Sequence, residues 1–268
     1  MPCAGPRMFP IVMVGCCPSR AVGAGHDERK LPMVDLSKRN LVPELMDEPA
    51  LDAGRHQHAL KGLGTINFYS GSGRILWSEV RRFANSQARR SLRVLDVASG
   101  GGDVAIALWQ RARRAGVTLE IVGLDISATA VQVAQRAAKR AEAPLVFKTH
   151  DVLAEPLPTR FDIVMSSLFL HHLDDRQAAG LLSAMRQATD GLLLVNDVRR
   201  TTVGYWLAKW VSRVLTRSPI VHVDAPRSIE RAFTLAEVRE LCWLADLHHY
   251  RLSRRWPQRF LLAWEKSR

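Results

Sequence analysis

Short apolar runs and amphipathic segments alternate along the middle of the chain. Residues 92–97 form a mainly apolar run bounded by polar residues, which predicts a buried strand. The segment after it, 104–114, has apolar positions at helical spacing. The same alternation continues to the C-terminal end. The predicted strands are 92–97, 119–124, 145–148, 161–166, 192–198, 248–254 and 259–265, and the predicted helices are 51–63, 74–86, 104–114, 128–140, 176–188 and a last one, opened by a capping box at Thr234, that ends at Ala245.

Alternation of strands and helices predicts an α/β fold. Successive parallel strands need a crossover, usually a helix, so the pattern gives a doubly wound, mostly parallel sheet of seven strands with helices on both faces. The last two strands follow each other through a short connection, 256–258, and are expected to pair as the antiparallel end of the sheet. At 268 residues, one such domain with additions is favoured over two domains.

Two segments are expected to extend this core. Residues 45–90 form a helical cap, whose two helices are joined by a turn-rich piece at 65–73. Residues 199–233 are too long for a simple connection and contain one helix with an aromatic-rich face. That helix is either a lid over a site or packed on the sheet edge, and a membrane-surface role for Trp206 and Trp210 stays open.

The first 44 residues are assigned to a disordered or misassigned leader, with the domain at 45–268 and the true start at Met33. The apolar piece 8–17 resembles a signal peptide or lipoprotein anchor, but it is short and contains Pro10. The four cysteines have neither disulfide nor zinc spacing, so a reducing cytoplasm is expected. No apolar run approaches the roughly 20 residues that span a bilayer.

The formal net charge is +12, which raises the question of nucleic-acid binding. The arginines, however, are spread along exposed helix faces, without a compact basic run interleaved with aromatics. A generally basic, solvated surface is therefore favoured, while an anionic or membrane-associated substrate stays open.

A glycine-rich turn, Gly100–Gly102, follows the first predicted strand and precedes a helix that Asp103 is expected to cap. Glycines let a ligand approach the backbone closely. The phosphate-binding patterns G-x-G-x-x-G and G-x-x-x-x-G-K-[ST] are absent. The turn therefore predicts a nucleotide-like ligand that is not held by its phosphates.

Four segments in this order resemble class I S-adenosylmethionine-dependent methyltransferases. Residues 94–103 resemble the family's first motif, 121–127 the second, with a strand that ends in Asp125, and 161–173 the fourth. Asp151 stands where the family has an acid near the adenine amino group. All lie at the carboxyl ends of predicted parallel strands, where open α/β sheets bind ligands.

The resemblance implies a Rossmann-like methyltransferase fold, S-adenosyl-L-methionine as cofactor, and Asp125 as acceptor of the ribose hydroxyls. Taken singly, Asp125 could equally cap a helix, Asp151 could be a turn acid, and Asp96 could organise the loop. The expected cofactor-binding residues are Asp96, Ala98, Ser99, Gly100, Gly102, Asp125, Ile126, Asp151, Val152, Ser166 and Ser167.

His171 and His172 are the candidate catalytic residues, because imidazole titrates near neutral pH. His171 is preferred as the base, and His172 matches a histidine that the family commonly packs. His222 and Asp224 form a second candidate dyad, which ordinary loop capping explains equally well. The family's metal-dependent members have Glu where this chain has His171, so no metal site is expected.

A small, apolar or aromatic acceptor is expected, with O-methylation of a phenol, quinol or polyketide-like hydroxyl. The [DNS]-P-P-[YF] sequence of amine-methylating nucleic-acid enzymes is absent, as is a cysteine after the fourth strand. The resemblance is nearest to the ubiquinone and menaquinone biosynthesis group and to bacterial small-molecule O-methyltransferases, and favours the lid. A monomer or homodimer is expected. An RNA-binding or RNA-modifying protein and a noncatalytic cofactor-binding scaffold remain the alternatives.

Overall fold

Seven strands form one sheet in the order β3-β2-β1-β4-β5-β7-β6. The computed structural model describes residues 34–48 and 50–266, so the predicted start at Met33 and the cysteines before it lie outside the described residues. Neighbouring strands are parallel, except that β7 is antiparallel to both β5 and β6. The predicted fold class is therefore confirmed. The strands are β1 (Ser91–Val97), β2 (Thr118–Asp125), β3 (Val146–Thr149), β4 (Phe161–Ser167), β5 (Thr189–Val198), β6 (Arg251–Arg255) and β7 (Arg259–Glu265).

Eight α-helices surround the sheet in the described part of the chain. They are α1 (Ala53–Ser70), α2 (Ser72–Ser86), α3 (Asp103–Arg114), α4 (Ala128–Arg140), α5 (Asp175–Ala188), α6 (Thr202–Leu215), α7 (Pro219–Arg231) and α8 (Leu235–Leu244). The predicted capping box of α8 is present, since Thr234 and Glu237 each accept a hydrogen bond from the other's backbone N–H. None of the described helices is both long and apolar enough to cross a bilayer.

The prediction of a turn-rich piece at 65–73 is wrong. Helix α1 continues to Ser70, and only Gly71 separates it from α2. Gly71 has a φ of 72°, a left-handed conformation that suits glycine at a helix end. The small polar residues that suggested a turn face the buried guanidinium of Arg259, which donates hydrogen bonds to Asn67, Ser70 and Ser72. A tertiary contact thus overrides the local preference for a turn.

The two faces of the sheet bury separate apolar clusters. One cluster lies under α2, α3 and α4 and includes Leu76, Leu108 and Ile121. The other lies under α5 and α8 and includes Leu182, Leu241 and Phe260. Covering both faces leaves the carboxyl edge of the parallel strands as the place where loops can form a site.

The insertion at 199–233 contains two helices, α6 and α7, where one was predicted. The second begins at Pro219, in the first turn, where proline's missing N–H costs nothing. Its buried residues Ile220 and Val221 pack with Ala59 of α1, so the insertion joins the N-terminal cap rather than standing alone.

Residues 36–44, assigned to the leader, also lie against the domain. The Arg39 side chain donates to the backbone oxygens of Arg231, His171 and Leu173, and its guanidinium lies 3.6 Å from the centroid of the Phe233 ring. The Asn40 N–H donates to the Glu230 oxygen at 3.0 Å. This segment, hereafter the strap, leads directly into the site.

Candidate active site

A cavity of about 200 Å³ opens at the carboxyl edge of the sheet. The turn after β1 and the loop after β4 form its floor, and α1, α6 and α7 form its walls. The lining is mostly apolar at the helices and polar at the strand ends. Lining residues include Asp96, Ala98, Ser99, Gly100, Ser167, His171 and His172 among those predicted, and Glu44, Leu63, Val198, Val211 and Ile229 among those that were not.

The glycine-rich turn places its first and last glycines differently. Gly100 has a φ of 53°, and a Cβ built on it meets no atom within 4 Å. Gly102 has a φ of 74°, and its Cβ would lie 2.8 Å from Phe147 Cζ and 2.9 Å from Ala134 Cβ. Gly100 therefore leaves room at the cavity, while Gly102 permits the close packing of the turn on the domain.

Asp103 does not cap α3, contrary to prediction. Gly102 is the N-cap residue and provides no side-chain bond, and Asp103 is the first residue of the helix. Burial raises the pKa of Asp103, while a hydrogen bond with Asn67 opposes that rise. Its carboxylate thus faces α1 and lines the cavity.

Asp125, at the end of β2, braces the glycine-rich turn. Its Oδ2 accepts the Gly100 N–H at 2.7 Å and its Oδ1 accepts the Ser127 N–H at 2.9 Å. Burial raises the pKa of this carboxyl, and the two backbone hydrogen bonds oppose the rise. Helix α4 is capped by Ser127. Each Asp125 oxygen can still accept a further donor.

Asp96 and Ser99 are polar groups without partners at the floor of the cavity. The Asp96 side chain is buried, with no hydrogen-bond donor among the described residues, and burial together with the Asp103 and Asp125 charges raises its pKa well above normal. The Ser99 hydroxyl is buried and has no hydrogen-bond partner within the described range. Buried polar groups normally have partners, so this floor fits a ligand that offers donors.

Asp125 and Gly102 support the turn from outside the cavity lining, and the other predicted cofactor residues, Asp151, Ser166, Ile126 and Val152, also lie outside it. Asp151 Oδ1 accepts hydrogen bonds from the Leu153 and Ala154 N–H groups, the local bonds that the turn-acid alternative predicts. Ser166 donates to the Val97 oxygen and ties β4 to β1. Ile126 is largely exposed. Val152 packs against the cluster under α5 and α8.

His171 lies in a short 3-10 helix after β4 and is almost fully buried. Its Nδ1 is 2.7 Å from Asp197 Oδ1, and its Nε2 is 3.5 Å from Glu44 Oε1. Burial lowers the pKa of His171, but the charge and hydrogen bond of Asp197, with Glu44, raise it to about 9. Because both nitrogens face carboxylates, the geometry does not favour His171 as a base with a lone pair free for an acceptor.

His172 stacks on Phe169 and is more accessible than His171. Its Nδ1 is 2.9 Å from Asp47 Oδ2, and its Nε2 is 3.9 Å from Glu44 Oε2. Glu44 is buried at the end of the strap, and its Oε1 accepts the Ser228 hydroxyl at 2.7 Å. Burial raises the pKa of Glu44, but the charges of His172 and His171 and hydrogen bonds lower it to about 2.

The backbone around the histidines is held by two arginines. Arg231 donates to the His171 and His172 carbonyl oxygens, and Arg39 donates to those of His171 and Leu173. A hydrogen bond from a charged donor holds a backbone carbonyl more firmly than a hydrogen bond from a neutral donor does. The 3-10 helix is thus positioned by the insertion and the strap together.

The candidate dyad of His222 and Asp224 is not formed. His222 Nε2 bonds the Thr216 oxygen, and Asp224 accepts the Leu45 and Met46 N–H groups. The alternative explanation, local capping and bracing, is the correct one. Asp224 instead holds the backbone directly after the strap, at Leu45 and Met46, next to Glu44.

Sequence reasoning missed four polar residues of this region. Glu44 and Asp47 were assigned to the leader or cap, Asp197 to a strand, and Arg259 to the start of the last strand. Only the two adjacent histidines gave a signal, because the partners come from separate segments. The polar pair Asn196 and Asp197, at the end of an otherwise apolar predicted strand, was the one sign available in the sequence.

The middle of the chain is similar in sequence to known methyltransferases. Residues 94–190 match the family model described as a methyltransferase domain. The demethylmenaquinone methyltransferase of Deinococcus radiodurans is 34% identical over 42% of this chain and 45% of its own length. The ubiquinone biosynthesis O-methyltransferase of Alkalilimnicola ehrlichii is 31% identical over 43% of this chain and 45% of its own length. The chain thus spans less than half the length of these curated relatives.

Solved structures share the fold at low sequence identity. Magnesium protoporphyrin IX methyltransferase from Synechocystis, solved with bound S-adenosylmethionine, superposes with a TM-score of 0.52 over 82% of this chain and 100% of its own, at 18% identity. An O-methyltransferase family 2 protein from Planctomyces limnophilus, in complex with apigenin, gives 0.50 over 66% and 50%, at 23% identity. Residues 94–190 are thus similar to a methyltransferase domain, and the described domain shares the fold of S-adenosylmethionine-dependent methyltransferases. Within that class, its matching curated relatives are enzymes of quinone biosynthesis.

Proposed function

We propose that the protein transfers a methyl group from S-adenosyl-L-methionine to a hydroxyl of a small, apolar or aromatic acceptor. One observation carries the proposal: a single cavity joins the glycine-rich turn, with its unpartnered Asp96 and Ser99, to apolar walls from the cap and insertion. Cofactor sites combine such apolar walls with a few placed polar groups.

The polar floor fits the cofactor's chemistry. Open space at Gly100 admits a ligand to the backbone, Asp96 offers a buried carboxylate for a cationic donor such as an ammonium, and Asp125 offers oxygens for hydroxyl donors. S-Adenosyl-L-methionine has an ammonium and two ribose hydroxyls, and when bound it supplies an electrophilic methyl on sulfur. Gly102, Ser166, Asp151, Val152 and Ile126 would then shape or support this floor.

The acceptor is assigned to the space between the histidines and the insertion. Apolar side chains such as Leu63, Val211 and Ile229 line it, which suits an apolar or aromatic molecule and excludes water. Glu44, His171 and His172 form the polar end. Of these, His172 is the more accessible group for taking up the proton of the acceptor's hydroxyl, while His171 and Glu44 hold that end of the cavity in place. Holding the acceptor in line with the methyl group is then the chain's main task.

Calorimetry and a methyl-transfer assay test the proposal. We expect S-adenosylhomocysteine to bind at one site, and labelled methyl to pass from S-adenosylmethionine to at least one member of a panel of phenols, quinols and hydroxylated polyketide-like acids. A bulk RNA sample is the control for the basic surface. Absence of cofactor binding would overturn the proposal, and methylation of RNA but of no small molecule would overturn its acceptor class.

A further inference from the structure

Glu44, His171 and His172 bring three potential metal ligands to one end of the cavity. One ligand atom from each lies within 4.8 Å of the others. Glu44 comes from the strap and the histidines from the 3-10 helix after β4, so neither segment alone has metal-ligand spacing. This is the one such group of three His, Cys, Asp or Glu side chains found in the described part of the chain.

Both imidazoles are oriented in the way that metal-bound histidines are. Asp197 Oδ1 lies 2.7 Å from His171 Nδ1, and Asp47 Oδ2 lies 2.9 Å from His172 Nδ1. Carboxylates that accept a hydrogen bond from Nδ1–H leave Nε2 as the ligand atom and raise its basicity. Both Nε2 atoms then face the same carboxylate, Glu44, at 3.5 Å and 3.9 Å.

These separations are close to those of a metal site. Zinc bonds of about 2.0–2.2 Å to nitrogen and oxygen place neighbouring tetrahedral ligand atoms roughly 3.3 Å apart. The distances from Glu44 to the two Nε2 atoms, 3.5 Å and 3.9 Å, exceed that value by only a few tenths of an ångström. Glu44 and the two carboxylates behind the histidines also supply negative charge that an ion of charge two would balance.

We propose that Glu44, His171 and His172 bind a divalent transition-metal ion, for which Zn²⁺ is the probe. Two histidines and one carboxylate are a ligand set of catalytic zinc and non-haem iron sites. All three residues line the cavity, so the ion would keep an open position toward a bound molecule. A structural site would instead be closed by a fourth protein ligand.

The test is metal binding by the tag-free full chain, stripped with a chelator and without cofactor or acceptor. Zn²⁺ is titrated in competition with a chromophoric chelator. We expect each chain to bind one Zn²⁺ ion tightly, and we expect the zinc affinity of Glu44→Gln to be at least about 100-fold lower. Asp47→Asn, which removes only an orienting carboxylate, should weaken binding roughly 10–100-fold. His172→Asn is the second ligand variant if Glu44→Gln does not fold by circular dichroism.

Glu155→Gln is the matched control. His150 Nδ1 and Glu155 Oε2 are also 3.5 Å apart but lack a third ligand, so zinc affinity should stay at the wild-type value. The visible spectrum of the Co²⁺ form separates nitrogen and oxygen ligands from cysteine thiolates. Equal zinc affinity in wild type, Glu44→Gln and His172→Asn, or thiolate bands that persist in them, would overturn the proposal. Zinc binding is measured without any methyl transfer. A failure of this metal proposal can therefore be told apart from a failure of the proposed methyltransferase activity.

Discussion

At the residue scale, the first and last glycines of the turn have separable tasks. Gly102→Ala places a Cβ in contact with Phe147 and Ala134 at a φ of 74°. Left-handed strain of about 1–2 kcal/mol and overpacking of about 1–3 kcal/mol add, so the free energy of unfolding should fall by roughly 2–5 kcal/mol. In Gly100→Ala the new Cβ meets no neighbour, so the free energy of unfolding should fall only by the left-handed strain. Urea unfolding measures both.

For cofactor binding we expect the opposite order, with the larger loss of affinity in Gly100→Ala and the smaller one in Gly102→Ala. Gly100→Ala puts a methyl group where we place the ligand. The variant should therefore lose more free energy of S-adenosylhomocysteine binding than free energy of unfolding. Calorimetry on the folded variant measures that affinity. Unchanged affinity in Gly100→Ala would remove this glycine from the proposed cofactor site.

Asp125 connects the end of β2 to the turn, and we assign it the ribose hydroxyls. Asp125→Ala should weaken S-adenosylhomocysteine binding by about 1–3 kcal/mol, because hydroxyl donors of the ligand lose their acceptor. Asp162→Ala is the control, since that carboxylate also accepts a backbone N–H, from Arg93, but at the opposite end of the sheet. Calorimetry should show weaker binding for Asp125→Ala alone. Equal losses in both variants would indicate general destabilisation.

At the element scale, the strap holds the 3-10 helix of the histidines through Arg39. Its side chain is 8% exposed and donates to three backbone oxygens as well as to Asp175. Arg39→Ala should lower the free energy of unfolding by roughly 2–4 kcal/mol, because buried acceptors lose charged donors. Arg39→Lys should recover little of it, since an ammonium lacks the planar fork. Urea unfolding of Lys38→Ala, on the exposed neighbour, should match wild type.

Helix α6 lines the cavity, and the lid interpretation of the insertion gives a test on that helix. Val211 faces the cavity, whereas Val214 is 83% exposed. With an acceptor found in the panel, Val211→Trp should reduce kcat/KM about tenfold or more by filling acceptor space, a loss of about 1.4 kcal/mol in transition-state binding. S-adenosylhomocysteine affinity should be unchanged. Val214→Trp should behave as wild type, and an equal loss there would contradict the assignment.

The elements were more predictable from the sequence than the contacts between them. Strand and helix positions follow from local periodicity, and so the sheet could be predicted. The end of α1 could not, because Asn67 and Ser70 stay helical through Arg259, which is far away in the chain. Glu44 was missed for the same reason: only folding brings the strap beside the histidines. Asp151 and His222 show the converse, since ordinary local bonds explain residues that a motif or a spacing had suggested for chemistry.

At the scale of the whole molecule, the cavity is the place where sheet, cap and insertion meet. A ligand there should stabilise all three against unfolding together, because it binds only the folded chain. At 100 times its dissociation constant, S-adenosylhomocysteine should add about 2.7 kcal/mol to the free energy of unfolding. For a domain of this size that is a rise in Tm of roughly 5–10 °C. Thermal unfolding with Asp125→Ala at the same ligand concentration should show a smaller rise. Because the turn lacks a phosphate-binding pattern, ATP should raise Tm less than S-adenosylhomocysteine does. An equal rise with ATP would mean that the cavity does not distinguish this cofactor from a phosphate-bearing nucleotide.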